Sequence, residues 1–300
     1  MNVLVTGGAG YIGRHLVNAL LAKGHMVRVL DLQAPDAAQL PKGCEFVQGS
    51  LADSSLVAKV VQGIQAVHHL AWSFQPGDER REIEENLQGT LNLLEASRAS
   101  GVEHFIFASS AVVYGPTGPE PVHEEHVPHP EQGTIGGPSY GITKLACEKY
   151  SQSYQRRGLP VTVLRIHGVF SQRRLGQFEE MIRRARNRQA VRVVRGAGGQ
   201  YVHLEDVVAA CCLVTGNRKA FGEVFNLAGS WQYQDTELAR QIADMAETGA
   251  KVELVEDPGQ RMVSVSAEKL RRVLGFSSMR GEFLSGLVRF REEEVRYARL

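Results

Sequence analysis

Cysteine is scarce in this chain and does not pair by spacing. Cys44, Cys147, Cys211 and Cys212 are the four among 300 residues, and none forms a Cys-x-x-Cys unit. That argues against a disulfide framework and points to a reducing cytoplasm. A long apolar run is also missing, as is a basic N-terminal segment with a cleavage site, so neither a membrane span nor secretion is expected. Charge of one sign is not in excess, since 34 Lys and Arg face 33 Asp and Glu for a net charge of +1, and no general affinity for nucleic acid or anionic membranes follows. Arginines do cluster at 156–157, 173–174 and 183–188, where solvated helix faces are the expected role. Internal repeats and low-complexity tails are absent. With 43% hydrophobic and 22% charged residues, the chain can build one large core and a small second lobe.

Glycine, by contrast, is plentiful and placed. The β-branched run Asn2-Val3-Leu4-Val5-Thr6 leads directly into Gly7-Gly8-Ala9-Gly10-Tyr11-Ile12-Gly13 and then an amphipathic helix to about residue 23. Strand, Gly-x-x-Gly-x-x-Gly loop and helix in this order let the backbone of Gly7, Gly10, Tyr11, Ile12 and Gly13 approach a pyrophosphate at a helix N-terminus. A second strand over 26–30 ends in Asp31, where a carboxylate can accept hydrogen bonds from an adenosine ribose and repel a 2′-phosphate, so NAD is expected over NADP. Alternating strand and helix patterns at 44–48, 53–62 and 66–70 then predict a Rossmann-type, doubly wound parallel α/β sheet. Asp53 either meets the adenine amino group or caps a helix, two compatible roles. Trp72, just past the fourth strand, either walls a pocket at the sheet's carboxyl edge or covers core. A long helix is expected over 79–100, with Asn86 among its polar positions, and a fifth strand over 104–108.

Directly after that strand comes Ser109-Ser110-Ala111-Val112-Val113-Tyr114-Gly115, and about thirty residues later Tyr140-Gly141-Ile142-Thr143-Lys144 opens a helix. Tyr and Lys four apart project from one helix face. A nearby ammonium favours the phenolate and lowers a pKa that is ordinarily near ~10, making Tyr140 a candidate general acid/base. A hydroxyl from the Ser109-Ser110 pair can hydrogen-bond the oxygen on which Tyr140 acts.

Taken together, these runs resemble the extended short-chain dehydrogenase/reductase superfamily, close to its nucleotide-sugar epimerase/dehydratase group. The glycine loop, Asp31, Asn86-Leu87-Gln88-Gly89-Thr90, the Ser-Ser-Ala-Val-Val-Tyr-Gly run, Ser139 to Lys144 and Leu164-Arg165 match in order, nearly continuously over residues 1 to about 170. The resemblance implies an NAD-dependent enzyme with Ser110, Tyr140 and Lys144 as catalytic residues, Lys144 also holding the nicotinamide ribose. Leu70, Ala71 and Asn86 would join the cofactor site, and a homodimer is expected. Ala111 and Val112 stand where the family's 4,6-dehydratases place acidic residues, which disfavours water elimination.

By the same resemblance, residues 1–166 form the NAD-binding domain, completed by segments returning at about 203–228, and 167–300 form mainly a smaller C-terminal α/β substrate lobe. There the chain departs from its relatives: Gly168 replaces an asparagine that commonly contacts nucleotide-sugar phosphates. Trp72, Ser110, Arg173 and Arg261 are the substrate candidates, Arg261 as a bidentate clamp on a pyrophosphate. Helices are expected over 177–189, over 235–247 with Asp235 and Thr236 as caps, and over 281–300, with strands over 191–194 and 223–227. His123, His126 and His129 lie in a proline-rich loop that in the family holds no metal, so none is expected. Cys147 is read as a buried structural thiol. The favoured activity is epimerisation of a nucleotide sugar through a transient keto intermediate. Net reduction or oxidation of a keto-sugar or other alcohol is the alternative, and a non-catalytic nucleotide-binding protein is a third reading.

Overall fold

A computed structural model describes residues 1–34, 42–74, 78–133, 139–171, 178–230, 232–257 and 263–278. Seven parallel strands form the main sheet: β1 (Asn2–Thr6), β2 (Met26–Asp31), β3 (Glu45–Gln48), β4 (Ala66–His69), β5 (His104–Ser110), β6 (Val161–Ile166) and, numbered in chain order, β10 (Val224–Leu227). Their order is β10-β6-β5-β4-β1-β2-β3. The inner strands are buried on both faces, β5 and β6 along their whole length, which is why they read as apolar runs and not as alternating patterns.

One face is closed by α1 (Tyr11–Ala22) and α7 (Leu204–Val214), which bury Leu16, Val17, Leu20, Val207 and Cys211. The other is closed by α2 (Ser54–Val60), α4 (Gly89–Ala99) and α5 (Tyr140–Arg156), through Val57, Val60, Leu93, Leu94, Cys147 and Tyr154. Strand order reverses between β1 and β4, and the crevice at that point lies at the carboxyl ends of the strands. A smaller core, built on Phe170, Phe178, Met181, Tyr233, Leu238 and Ile242, joins a three-stranded and a two-stranded sheet. Those sheets are β7 (Gly168–Phe170) with β9 (Gly198–His203) and β11 (Gln232–Gln234), and β8 (Val191–Val194) with β12 (Val252–Val255). The helices α6 (Phe178–Arg186) and α8 (Asp235–Ala246) pack on them, and α9 (Glu268–Leu274) returns Leu270 to the main core. No described helix is long and apolar enough to cross a membrane.

Three expectations need correction. The helix foreseen over 79–100 is α3 (Glu79–Ile83), a π-helical turn (Glu84–Gln88) and α4. The wide turn coincides with a tertiary contact: the Asn86 amide pairs with both backbone groups of Ser73, at 2.8 Å each. Residue 235 does not cap α8, because Gln234 holds that position without a side-chain hydrogen bond and Asp235 is the first helical residue. The strand β5 runs two residues further than expected and carries Ser109 and Ser110 within it. The helix expected over 281–300 lies outside the described residues.

Histidines are built into this core in neutral form. His69 lies between Thr6 and Thr90: Thr90 gives its hydroxyl proton to the Asn86 carbonyl, so it accepts from His69 Nε2, while Nδ1 faces the Thr6 hydroxyl at 2.8 Å. Burial lowers the pKa of His68 and His69 to about 3 and that of His104 to about 4. An unfolded histidine titrates near ~6.5, so the stabilisation from keeping these rings neutral is complete above that pH and is lost as pH falls toward the folded values. Asp235, raised to about 6 by burial, works in the opposite sense below neutrality but is one group against four, since burial lowers His167 to about 4 as well. Denaturant midpoints should therefore fall between pH 7.5 and 5.5, with a limiting slope of about 1.4 kcal/mol per pH unit for each histidine. A flat profile across that window would rule out the neutral core histidines.

Candidate active site

The crevice is a cavity of about 980 Å³ that runs from the glycine loop, past the ends of β4 and β5, to the small sheets. At its first end the loop is packed so closely that side chains have no room. A Cβ on Gly7, whose φ is +70°, would sit 2.7 Å from the Ala71 backbone, and one on Gly13 would sit 2.1 Å from the Gly7 carbonyl oxygen. Gly10 precedes α1 and no side chain caps that helix, so its first amides, with no carbonyl one turn below, open onto the cavity wall. Asp31 is fixed by the loop itself, because the Ala9 amide donates to Oδ2 at 3.0 Å and the Gln33 amide to Oδ1 at 3.3 Å. Gly7, Gly10, Tyr11, Ile12, Gly13, Asp31, Leu70, Ala71 and Asn86 all line the cavity. A dinucleotide diphosphate fits the bare helix end, and a ribose diol fits Asp31.

Asp53 does not line it. Its Oδ1 accepts from the Ser55 and Leu56 amides, both at 3.0 Å, which is the helix-capping role. Asn86 spends its side chain on Ser73, and through Ser73 it sets where Trp72 and Phe74 stand.

The reactive groups meet in the middle of the cavity. Ser110 ends β5 near Tyr140, the first residue of α5, with its hydroxyl placed to lower the phenol's pKa, whereas Ser109 donates to Glu148 Oε1 at 2.5 Å. The neighbouring serines thus divide the work, with Ser110 serving the site and Ser109 the scaffold. Tyr140 is flanked by Phe74, stacked at 5.5 Å, and by Trp72, edge-on at 5.4 Å. Lys144 Nζ donates to the Ala108 carbonyl at 2.8 Å and sits 3.8 Å above the centre of the Trp72 ring.

This arrangement corrects the expected electrostatics. Burial raises the Tyr140 pKa above its ordinary value, the Ser110 hydrogen bond lowers it in part, and the charge of Glu82 adds to the rise. The same burial brings Lys144 down to about 7. Spacing along the helix is as anticipated, but Lys144 is directed at Ala108 and Trp72 and is 6.0 Å from the Tyr140 ring centre, so it does not depress the phenol here.

Trp72 therefore walls the pocket, and its indole Nε1 is buried without a partner among the described residues. Cys147 is buried, with burial raising its thiol pKa, as suits a structural residue. Among the described residues no group of three His, Cys, Asp or Glu side chains could hold a metal ion.

At the far end stand His167, Gly168, Ala197, Gly198, Tyr201, Asp235 and Val263. A Cβ on Gly168 would meet the Tyr201 ring at 2.9 Å, so the tyrosine occupies the space an asparagine there would need. His167 is neutral, lowered to about 4 by burial, with Nδ1 accepting from the Gly168 amide at 2.7 Å and Nε2 facing the Val263 carbonyl at 3.2 Å. Sequence reasoning missed this end, because its residues come from four separate elements with no shared motif. Arg173 and Arg261 lie outside the described residues.

Strand order makes the crevice a place suited to a dinucleotide, and in its wall a half-buried phenol stands near a serine hydroxyl and a buried lysine: the makings of an oxidoreductase on a Rossmann sheet. The model of the NAD-dependent epimerase/dehydratase family matches residues 3–228, and the chain belongs to that family. NAD is its cofactor. A UDP-glucose 4-epimerase of Erwinia amylovora is 38% identical over 172 residues, covering 52% of this chain and 49% of that protein, so the chain spans about half the length of that relative. Among solved structures, UDP-glucose 4-epimerase of Thermus thermophilus in complex with NAD aligns with a TM-score of 0.79 and 30% identity over 94% of this chain and 95% of that one. The dTDP-glucose 4,6-dehydratase of Streptomyces venezuelae aligns with a TM-score of 0.82 and 26% identity, covering 99% and 98%.

The fixed carboxylate of Asp31 should make NADP(H) bind more weakly than NAD(H) by about 1–3 kcal/mol, roughly 5- to 150-fold, in equilibrium titrations. Equal affinities would remove Asp31 from the ribose site.

Proposed function

We propose that this protein is an NAD-dependent epimerase acting on a nucleotide sugar, of the UDP-glucose 4-epimerase kind. The observation that carries the reading is the convergence of Ser110, Tyr140 and Lys144 on the cavity whose other end holds the glycine loop and Asp31. NAD, when bound, accepts a hydride and returns it, so a hydroxyl carbon can be oxidised and then reduced on its opposite face with no net redox change. The protein's part is proton management. Ser110 donates a hydrogen bond to the substrate oxygen, Tyr140 takes up and returns the hydroxyl proton, and Lys144 supplies the charge that favours the phenolate. Burial has left the lysine near 7 and the phenol high, so the pair works best when the ammonium is held charged and close to the phenol. The rings of Trp72 and Phe74 keep water from the proton path. In this reading residues 1–166, with the returning segments at 203–228, hold the cofactor, 167–300 hold the substrate, and the working unit is a cytoplasmic homodimer.

A second reading, net reduction or oxidation of a keto-sugar or another alcohol, draws support from the far end of the cavity. No Lys or Arg lines that end among the described residues, and the place of the phosphate-contacting asparagine is filled by Tyr201. A diphosphate would then depend on Arg173 and Arg261. Mass spectrometry of ligands released from purified protein separates the readings, since retained NAD marks the internal redox cycle and exchange of NAD(H) on each turnover marks the alternative. Arg261→Ala should weaken a nucleotide sugar by about 1.5–3 kcal/mol and leave NAD binding intact. A silent variant, with UDP and dTDP failing to compete, would favour the uncharged substrate.

Tyr140→Phe removes one ionisable oxygen and little volume. It should lower turnover by roughly 10²–10⁴ while folding and binding NAD normally. Near-normal turnover on a confirmed substrate would contradict the proton role assigned to Tyr140.

A further inference from the structure

We infer that Asp235 is a substrate-recognition residue, whose carboxylate at the far end of the cavity accepts a hydrogen bond from an uncharged, donor-bearing group of the substrate. The identity of the ligand used to test this rests on the nucleotide-sugar reading above.

Asp235 opens α8 immediately after β11, and its amide donates to the Ala197 carbonyl at 2.9 Å, which anchors the backbone at the cavity wall. Its Oδ1 is shielded from solvent and has no hydrogen-bond partner among the described residues. It does not cap the helix it begins. A buried, idle acceptor is costly unless something else completes it, and this one lines the space where a ligand would sit. Among the described residues the surroundings offer no replacement. His167 spends both ring nitrogens on Gly168 and Val263, and Tyr201 feels the charge of Asp235, which adds to burial in raising the phenol's pKa.

Charge decides what kind of group fits. Beyond Lys144, Asp235 is the one ionisable carboxylate or cation among the described residues lining this end. A phosphate or a sugar carboxylate seated against it would face a like charge in a desolvated site. A hydroxyl or an N–H would instead complete Oδ1. Such a donor could come from the sugar or from the nucleoside, through its ribose diol or a base N–H.

The test is calorimetric titration of the NAD-loaded full chain with UDP-glucose and with UDP at pH 7.5, comparing wild type, Asp235→Ala and Asp235→Asn, alongside thermal melts. Asp235→Ala should weaken UDP-glucose at least tenfold, with NAD affinity unchanged within twofold, and Asp235→Asn, which keeps an acceptor oxygen, should fall between. Wild-type affinity should drop below about pH 6 as the carboxylate protonates, and that drop should vanish in Asp235→Asn. An equal loss for UDP places the donor on the nucleoside, whereas a loss confined to UDP-glucose places it on the sugar. UDP-glucose affinity within twofold of wild type in Asp235→Ala overturns the inference and leaves the nucleotide-sugar reading standing. If wild type binds neither ligand, that reading fails and the melts decide the role of Asp235. A recognition residue can be removed with an unchanged or higher melting temperature, while a drop of several degrees would show that the carboxylate braces the fold.

Discussion

The buried ion pair between Glu148 and Arg165 holds the active site in register. Glu148 on α5 receives the Arg165 guanidinium through Nε and Nη2, the latter at 2.8 Å, and both side chains are almost wholly enclosed. Burial opposes the arginine's charge, but hydrogen bonding and attraction from Glu148 outweigh it and raise the guanidinium pKa. The pair does not stand alone. Arg165 Nη1 donates to Tyr114, Tyr114 donates to Asn226, the Asn226 amide donates to Glu124, and Ser109 donates to Glu148. One connected network thus ties β5, the turn after it, the 122–126 segment, α5, β6 and β10. Opening such a pair from one side costs about 3–5 kcal/mol, because a bare charge is left inside. Its larger consequence is positional: Ser110 ends β5 and Tyr140 begins α5, two elements that this network and the Lys144–Ala108 bond hold together, so the placement of the two hydroxyls inherits that geometry.

What could be read from the sequence is what local chemistry encodes. The glycine loop needs glycines because backbone packs on backbone there, and Asp31 ends a strand, so both are visible without a structure. The β8 strand keeps the bounds expected of it, 191–194. Features set by distant partners were hidden. The π-helical turn depends on Asn86 meeting Ser73, thirteen positions away, and helix periodicity carries no trace of it. The Tyr140–Lys144 spacing told which helix face the two share, but a pKa depends on burial and on where the ammonium points, and Ala108 and Trp72 decide that. The Asp-Thr pair at 235–236 looks like a cap, yet the pairing of β11 with β9 carries the chain as strand through Gln234, which takes the cap position and leaves Asp235 as the first helical residue.

The two ends of the cavity follow opposite electrostatic rules. At the glycine loop, partial positive charge comes from backbone amides at a helix start, and the Ala9 amide holds Asp31 on the cavity wall as a carboxylate suited to a diol and not to a phosphate. At the far end the described residues contribute one acidic group, a neutral histidine and a tyrosine, and Tyr201 has closed the space above Gly168. A substrate long enough to reach from Tyr140 to Asp235 must therefore place its donors, not its anions, against α8.

Satisfied and unsatisfied polar groups lie side by side around the cavity. Around Glu148 and Arg165, hydroxyls, amides and charges are paired with one another, as expected of a scaffold under no pressure to bind anything. Along the cavity the Trp72 indole N–H and Asp235 Oδ1 are buried with no partner among the described residues, and five further idle atoms, on His25, Glu82, Ser97, Gln241 and Ser264, lie away from its lining. Each idle atom lowers the stability of the unliganded fold, and selection for stability alone would replace it with an apolar side chain. Of these atoms, the ones on Trp72 and Asp235 belong to residues that line the cavity, where a ligand can complete them. The paired network next to it can carry that cost because it holds the surrounding elements in place.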